Sequence, residues 1–223
     1  MKTKLLTAAL MTVISVPAMA YVDVDNNFSI GANLGSVQVK DSASKSDRAF
    51  AYGLTIADEI RLDQHKFQLS LSALHSEKIK MEQSETRLKD YDAQLTYKYG
   101  FALGDTAEIS PKVGFGYNQK ETKLNGQKHT LERTYAVIGA EAKFQLNDEW
   151  SIAPEISYEK DLNAKFKNDV ESFKHKGDAL NLAINAQYNM VQGNLSFGPY
   201  FKQYDNDGKI NQYGVAVKYE FND

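Results

Sequence analysis

Two closely spaced aspartates and four histidines are the candidates for acid–base chemistry in this sequence. Asp90 and Asp92 stand two positions apart, so both carboxylates share one face of an extended strand. Such a pair can hold a water molecule and accept its proton, and a nearby imidazole can carry that proton away. The histidines are scattered along the chain, at His65, His75, His129 and His175.

The spacing of these residues completes no familiar site. No Asp–His neighbour matches a catalytic motif, and no His, Asp and Glu spacing is typical of zinc ligands. A Ser-His-Asp site is defined by geometry rather than by sequence order, so the sequence alone cannot point to one. The sequence therefore predicts no catalytic residue, no cofactor and no metal ion.

A larger set of charged residues recurs on one face of a series of alternating segments. Six acids and six bases share this face with small or neutral residues such as Gly31, Asn33 and Gly53. The twelve charged residues are Glu59, Asp92, Glu108, Glu141, Glu155, Glu220, Arg61, Lys98, Lys112, Lys143, Lys202 and Lys218. Because acids and bases are equal in number, we expect them to neutralise each other as an ion-paired network.

The elements that must position these charges have a period of two. In each of ten segments, alternate residues are apolar, so each segment has one apolar and one polar face when it is extended. The segments are residues 28–34, 50–56, 67–73, 91–99, 109–117, 136–144, 150–158, 180–188, 195–201 and 213–221. The pattern predicts an all-β chain.

The connections between the segments alternate in length. Short connections fall at residues 63–65, 103–105, 147–149 and 192–194. Long polar connections fall at residues 41–47, 79–89, 119–130, 159–177 and 205–209. Short turns at one rim and longer loops at the other are typical of up-and-down membrane barrels. The sequence predicts a closed antiparallel transmembrane β-barrel of about ten strands, with eight or twelve as alternatives.

A soluble sandwich or a lipocalin-type barrel would show the same alternation, with the apolar face inside. Aromatic residues near both ends of the segments favour the membrane, because bilayer interfaces select such girdles. One group is Phe28, Phe67, Tyr99, Phe101, Phe144, Trp150, Tyr188 and Phe221; the other is Tyr52, Tyr91, Tyr117, Tyr158, Phe201 and Tyr213. Asp58 is the one clear charge on the apolar face. We therefore expect the charges inside and the apolar face outside.

The first twenty residues read as a cleavable secretory signal. Lys2 and Lys4 precede an apolar stretch that is too short to span a bilayer, and Ala18-Met19-Ala20 is a small-x-small cleavage site. The division predicted is a signal peptide at residues 1–20 and a barrel domain at residues 21–223. Without Lys2 and Lys4 the chain keeps 24 Lys+Arg against 29 Asp+Glu, which argues against a nucleic-acid partner.

The last segment resembles the C-terminal strand by which outer-membrane proteins are recognised by the barrel-assembly machinery. The matching positions are Gly214, Val215, Val217, Tyr219 and Phe221, although Asn222 and Asp223 follow the phenylalanine that usually ends such chains. The resemblance is to Gram-negative outer-membrane β-barrel proteins of the small porin-like class. It implies a place in the cell outer membrane, with membrane lipids, lipopolysaccharide and the assembly machinery as partners.

Three prolines recur in segments that follow short turns, and such segments are similar to the proline-containing strand of small porin-like barrels. They are Pro111, Pro154 and Pro199. Proline cannot donate a ladder hydrogen bond, and a closed barrel has no free edge to accommodate it. We therefore expect a β-bulge at each proline.

Three hypotheses about function follow. The first is a porin-like barrel with a structural or narrow-channel role, because barrels near eight strands are filled by side chains. The second is surface adhesion or lipopolysaccharide binding through the long loops, with Lys165, Lys167, Lys174, His175 and Lys176 as candidate phosphate contacts, unless that loop is simply solvated. The third is a rim hydrolase, because omptin-type proteases carry paired aspartates and an Asp–His pair at the outer rim. The sequence indicates neither a permeant solute nor an oligomeric state.

Overall fold

Ten long strands make up most of the protein. The computed structural model describes residues 25–40, 46–81, 84–124, 127–167, 172–205 and 209–222, so the predicted signal peptide lies outside the described residues. The strands are β1 (Asp25–Lys40), β2 (Ser46–Leu62), β3 (His65–Ser76), β4 (Lys89–Tyr99), β5 (Ala107–Leu124), β6 (Gln127–Gln145), β7 (Trp150–Lys167), β8 (Asp178–Met190), β9 (Gly193–Asp205) and β10 (Lys209–Asn222). No helix among the described residues is long and apolar enough to cross a bilayer.

The ten strands form one closed sheet. Each strand pairs antiparallel with the next along the chain. β10 then returns to pair with β1 in an unbroken register that runs from Asn27↔Asn222 to Lys40↔Lys209. The predicted closed up-and-down barrel of ten strands is confirmed.

The apolar face of the barrel points outward, as predicted. Leu54, Phe115 and Ile138 are each more than 60% exposed, whereas Arg133 and Glu159 are 1% exposed. A soluble barrel would bury the first group and solvate the second. Ring contacts at the rim support the predicted girdle. The ring centres of Phe28 and Phe221 are 5.9 Å apart, and those of Trp150 and Tyr188 are 4.8 Å apart.

Tight turns connect the strands at one end, which we call the short-turn rim. At residues 63–64 the chain reverses with Asp63 in the left-handed region, at φ 54°, a conformation that Asp tolerates. Gly104 has φ 72° in the turn between Ala102 and Ala107, where a residue without a Cβ meets no penalty. The opposite end carries longer hairpins, and we call it the long-hairpin rim.

The predicted long loops are largely strand. Residues 119–130 were expected to be a loop, but β5 and β6 continue to Leu124 and from Gln127. In the predicted loop at 159–177, β7 runs to Lys167 and a short strand, Ser172–His175, pairs with its end. Another short hairpin, Ile79–Met81 with Ser84–Thr86, replaces part of the loop at 79–89. These strands extend beyond the apolar belt, so their outward-facing residues are polar there. In the sequence, such a polar stretch looks like a loop.

The prediction of a bulge at each proline is wrong. Pro111, Pro154 and Pro199 leave the strand register unshifted. The β6–β7 pairing is interrupted at Ala153 and Pro154, and the β8–β9 pairing at Gly198 and Pro199, and both resume in the same register. The missing N–H donor of proline therefore interrupts the strand pairing locally, but it does not insert the extra residue that a bulge would contain. The register shift lies instead between Asp161 and Asn163 of β7.

Small interior residues allow the strands that close the barrel to approach each other. Gly35 of β1 lies opposite Gly214 of β10. A Cβ added at Gly35 would stand 2.2 Å from the Tyr213 carbonyl oxygen and 2.7 Å from the Gly214 Cα. Both neighbours are backbone atoms, so a side chain here would have to separate the two strands.

We predict that Gly35→Val weakens the closing seam, because overpacking of this kind costs ~1–3 kcal/mol. The melting temperature of the folded band on semi-native gels should fall. Ala32→Val, on the exposed outer face of the same strand, should leave it unchanged, and equal effects of the two substitutions would contradict the interpretation.

Candidate functional site: charged layers inside the barrel

Charged side chains fill the barrel interior in two layers. The lower network, near the short-turn rim, contains Glu59, Arg61, Lys66, Lys98, Glu108, Lys112, Glu141, Lys143, Glu155, Lys218 and Glu220. The upper network, nearer the long-hairpin rim, contains Asp90, Asp92, Lys120, Arg133, Glu159, Asp161 and Lys202. Small residues such as Gly35, Gly53 and Gly139 occupy the interior positions between the layers.

Lys98 is the central cation of the lower network. Its ammonium donates to Glu59 at 3.2 Å and to Glu141 at 3.0 Å, so it joins β2, β4 and β6. Arg61 donates to Glu59 at 2.7 Å and reaches Glu220 of β10 at 3.5 Å. The two Lys98 contacts and the Arg61–Glu220 contact join strands that are not neighbours in the sheet.

Two further lysines of this layer also form ion pairs. Lys66 is bound to Glu108, and Lys112 is bound to Glu155. A polar cavity of about 210 Å³ remains among these side chains. Its lining also includes Gln68, Asn185, Gln187, Asn194 and Ser196. The lower network is therefore ion-paired and leaves room for water.

Arg133 is the centre of the upper network. Its guanidinium lies between two aromatic rings, 4.3 Å from Tyr135 and 4.6 Å from Tyr204. It donates to Glu159 and, at 3.0 Å, to Asp161. The Arg133 side chain is completely buried, and the two carboxylate side chains are 1% exposed.

Other residues extend this cluster to more strands. Lys202 of β9 and Asn181 of β8 each donate to Glu159 at 2.8 Å. Tyr204 donates to Asp161 at 2.8 Å, and Tyr135 donates to Asp92 at 2.8 Å. The upper network thus binds together side chains of every strand from β4 to β9.

Asp90 connects the upper network to a strand on the opposite side of the lumen. Lys120 donates to its carboxylate at 2.9 Å, and Asn118 is a second donor. Gln212 of β10 donates to the same carboxylate at 2.9 Å. Since β10 and β4 are separated by β1, β2 and β3 around the barrel, this contact spans the interior.

An apolar cap lies beyond the upper network. Val37, Ala49 and Ala51 pack against Ile79, which begins the Ile79–Thr86 hairpin, and against Leu88, which follows it; both are fully buried. On the opposite wall, Leu131, Ala164, Ala179 and Tyr204 form a second cluster, and Ile210 contacts both. The interior is therefore filled at the long-hairpin rim and retains a cavity near the short-turn rim.

The aspartates singled out from the sequence are held by neighbouring polar side chains, and His129 packs against an aromatic ring. Asp90 is held by Lys120 and Asn118, and Asp92 by Tyr135. The ring of His129 stacks on Phe166 at 5.5 Å, and the side chain of His175 is outside the described part of the structure. Among the described residues no group of three or more His, Asp and Glu is placed to hold a metal ion.

The twelve charged residues predicted from the sequence separate into the two layers. Ten lie in the lower network, and Asp92 and Lys202 lie in the upper one. Six charged residues of the two networks were not in the predicted interior set: Lys66, Asp90, Lys120, Arg133, Glu159 and Asp161. The sequence did contain a sign of two of them, because Glu159 and Asp161 continue the alternation that includes Glu155. They were missed because the loop was predicted to begin at residue 159.

Three comparisons place the chain among known proteins. A family model described as the outer membrane protein beta-barrel domain matches residues 6–221. The outer membrane protease OmpT from Escherichia coli is 10% identical, with a TM-score of 0.60 over 91% of this chain and 98% of that one. An outer membrane channel from Pseudomonas putida F1 is 8% identical, with a TM-score of 0.55 over 94% and 100%. At such identities the likeness shows the fold alone. No curated protein sequence matches the chain.

We predict that Arg133→Ala destabilises the barrel by ~3–5 kcal/mol, because buried carboxylates lose their partner. Equilibrium unfolding in denaturant from lipid vesicles measures this loss. The matched control is Lys160→Ala, which breaks an exposed pair with Asp178 and should cost no more than ~1 kcal/mol. Equal losses would show that the upper network does not hold the fold together.

Proposed function

We propose a function on the premise that this chain belongs to the outer membrane protein beta-barrel domain family and is located in the outer membrane. It is a porin-like barrel with a structural role and a lumen that is closed at rest. The upper network and the apolar cap are the closure, and conduction is limited to a narrow water path. The long hairpins face the cell exterior, as in barrels with short periplasmic turns.

One contact carries this proposal: Gln212 and Asp90 meet at 2.9 Å from strands on different sides of the interior. A hydrogen bond across the lumen leaves no space for a hydrated ion at that point. The buried Arg133 and its two tyrosines fill the neighbouring cross-section. The ten strands also lie close to the size at which side chains fill a barrel, and far from the sixteen strands of open porins.

Planar-bilayer recording tests the closed lumen. We expect the refolded protein to show no steady open-pore conductance, because both layers obstruct the interior. The double variant Arg133→Ala with Tyr204→Ala removes the centre of the upper network and should raise the conductance severalfold. The control Lys160→Ala changes only the outer surface and should stay silent. A wild-type protein that conducts as well as the double variant would contradict the proposal.

Export and assembly are part of the same proposal. A signal peptide cleaved after Ala20 would deliver the chain to the periplasm. β10 would then present Gly214, Val215, Val217, Tyr219 and Phe221 to the barrel-assembly machinery. Phe221 is 44% exposed on the outer face, and its ring lies 4.7 Å from that of Tyr219. This aromatic pair on the outer face supports a role for the strand in recognition.

A second candidate function is binding of lipopolysaccharide, and a basic cleft on the outer surface favours it. The cleft has a volume of about 580 Å³ and lies at the long-hairpin rim, where Lys89 is two residues beyond Tyr91 on the same outer face. Its charged lining is Lys78, Arg87, Lys89 and Lys128, with His75 and a single acid, Glu121. A phosphate at the level of the lipid headgroups would meet this lining directly.

This cleft replaces the predicted basic loop as the binding surface. In that loop, Lys167 is already paired with Glu132 at 2.6 Å. In the cleft, Glu121 is bound to Lys128 at 2.6 Å, which leaves Arg87 and Lys89 as exposed cations beside the lipid-facing surface. We favour the cleft because these exposed cations lie beside the lipid-facing surface, at the level of the headgroups.

Thermal unfolding in detergent, with and without added lipopolysaccharide, separates the two surfaces. We expect lipopolysaccharide to raise the melting temperature of the wild type, and Arg87→Gln with Lys89→Gln to remove most of that rise. The matched control is Lys165→Gln with Lys174→Gln in the predicted loop, which should keep it. The reverse result would return the binding surface to the loop.

A further inference from the structure

The lower network holds more positive than negative groups. It has six bases and five acids: Arg61, Lys66, Lys98, Lys112, Lys143 and Lys218 against Glu59, Glu108, Glu141, Glu155 and Glu220. The upper network has the opposite imbalance, with three bases and four acids. The twelve charges predicted from the sequence balance within each layer, and the imbalance comes from interior residues outside that set, such as Lys66 in the lower network.

Lys143 is the cation that this imbalance leaves without a carboxylate. It lies on β6 opposite Glu108, and its side chain lines the cavity. Among the described residues no carboxylate lies within ion-pair distance of Lys143. Glu108, the residue opposite it, accepts hydrogen bonds from Lys66 and Ser110 instead. If Lys143 displaced Lys66 from Glu108, Lys66 would be left over instead. One net positive charge therefore stays in the layer whatever the pairing.

An uncompensated charge inside a protein is costly unless a counter-charge reaches it. The cavity of about 210 Å³ supplies the space, since a water molecule occupies ~30 Å³ in the liquid. Its lining includes the five glutamates of the lower network and neutral side chains that can donate hydrogen bonds, among them Asn185, Gln187 and Ser196. An oxyanion accepts more than one hydrogen bond, so it can use these neutral donors together with the surplus cation.

We propose that this cavity is a binding site for a small free oxyanion of the phosphate class, with Lys143 as its main cationic ligand. The anion enters from the short-turn rim. Only this choice of entrance rests on the closed lumen proposed above; the charge imbalance and the cavity stand without it. The site gives the barrel a ligand on the periplasmic side, distinct from the basic cleft on the outer surface.

Isothermal titration of the refolded protein in detergent with inorganic phosphate tests the site. We expect saturable binding by the wild type, and binding at least tenfold weaker by Lys143→Met, which keeps the length of the side chain and removes its charge. Lys160→Met, on the outer surface, is the matched control and should bind as the wild type does. Equal affinity of Lys143→Met and the wild type, or no binding by the wild type, would overturn the proposal.

The melting temperature of the ligand-free protein gives a second test, in which the variant that loses binding should gain stability. Because an unpaired interior charge is unfavourable, Lys143→Met should melt at a higher temperature than the wild type in phosphate-free buffer. Phosphate should then raise the melting temperature of the wild type and not that of the variant. A Lys143→Met barrel that is less stable than the wild type would overturn the account of this charge. If the barrel conducts and still binds phosphate through Lys143, the proposed closed lumen is wrong and the phosphate site stands.

Discussion

Hydrocarbon offers no hydrogen-bond partner to a peptide group and no solvation to a charge, and the structure follows from these two facts. Within a bilayer, an open sheet would leave one row of backbone donors and acceptors unpaired at each edge, at a cost of several kcal/mol per group. The β1–β10 seam removes both edges. The same constraint sends every alternate side chain of each strand to the lipid, so charged residues have to occupy the inside.

Once the charges are enclosed, their own solvation decides what the interior looks like. Ten strands enclose too little water to hydrate eighteen ionised groups separately, so these groups bind one another. Arg133 shows the result: its two terminal nitrogens donate to Asp161 and Glu159, and its guanidinium carbon lies 4.3 Å from the ring centre of Tyr135 and 4.6 Å from that of Tyr204. The interior is consequently a cross-linked layer at one end and a cavity with a surplus cation at the other.

The sequence predicted those features that depend on alternation and failed where they depend on height in the membrane. Ile138 and Gly139 could be assigned to opposite faces because side-chain direction has a strict period of two. Glu159 could not be placed, since an acid beyond the last aromatic residue reads equally well as loop or as a strand extending above the bilayer. The prolines were misjudged for a related reason: Pro154 gives up pairing on one side while the register continues on the other. Long-range contacts such as Gln212 with Asp90 depend on barrel closure, which no local pattern contains.

The most direct measurement of this account is a scan of β6 with single spin labels in lipid vesicles. The chain has no cysteine, so a cysteine introduced at each position from Ala136 to Glu141 carries the label alone. At Ala136, Ile138 and Ala140 the label should collide with oxygen dissolved in the bilayer and be shielded from a water-soluble relaxation agent. At Val137, Gly139 and Glu141 oxygen collisions should fall, which gives a period of two. Equal water accessibility along the strand, or oxygen collisions highest at the interior positions, would contradict the inside–outside assignment.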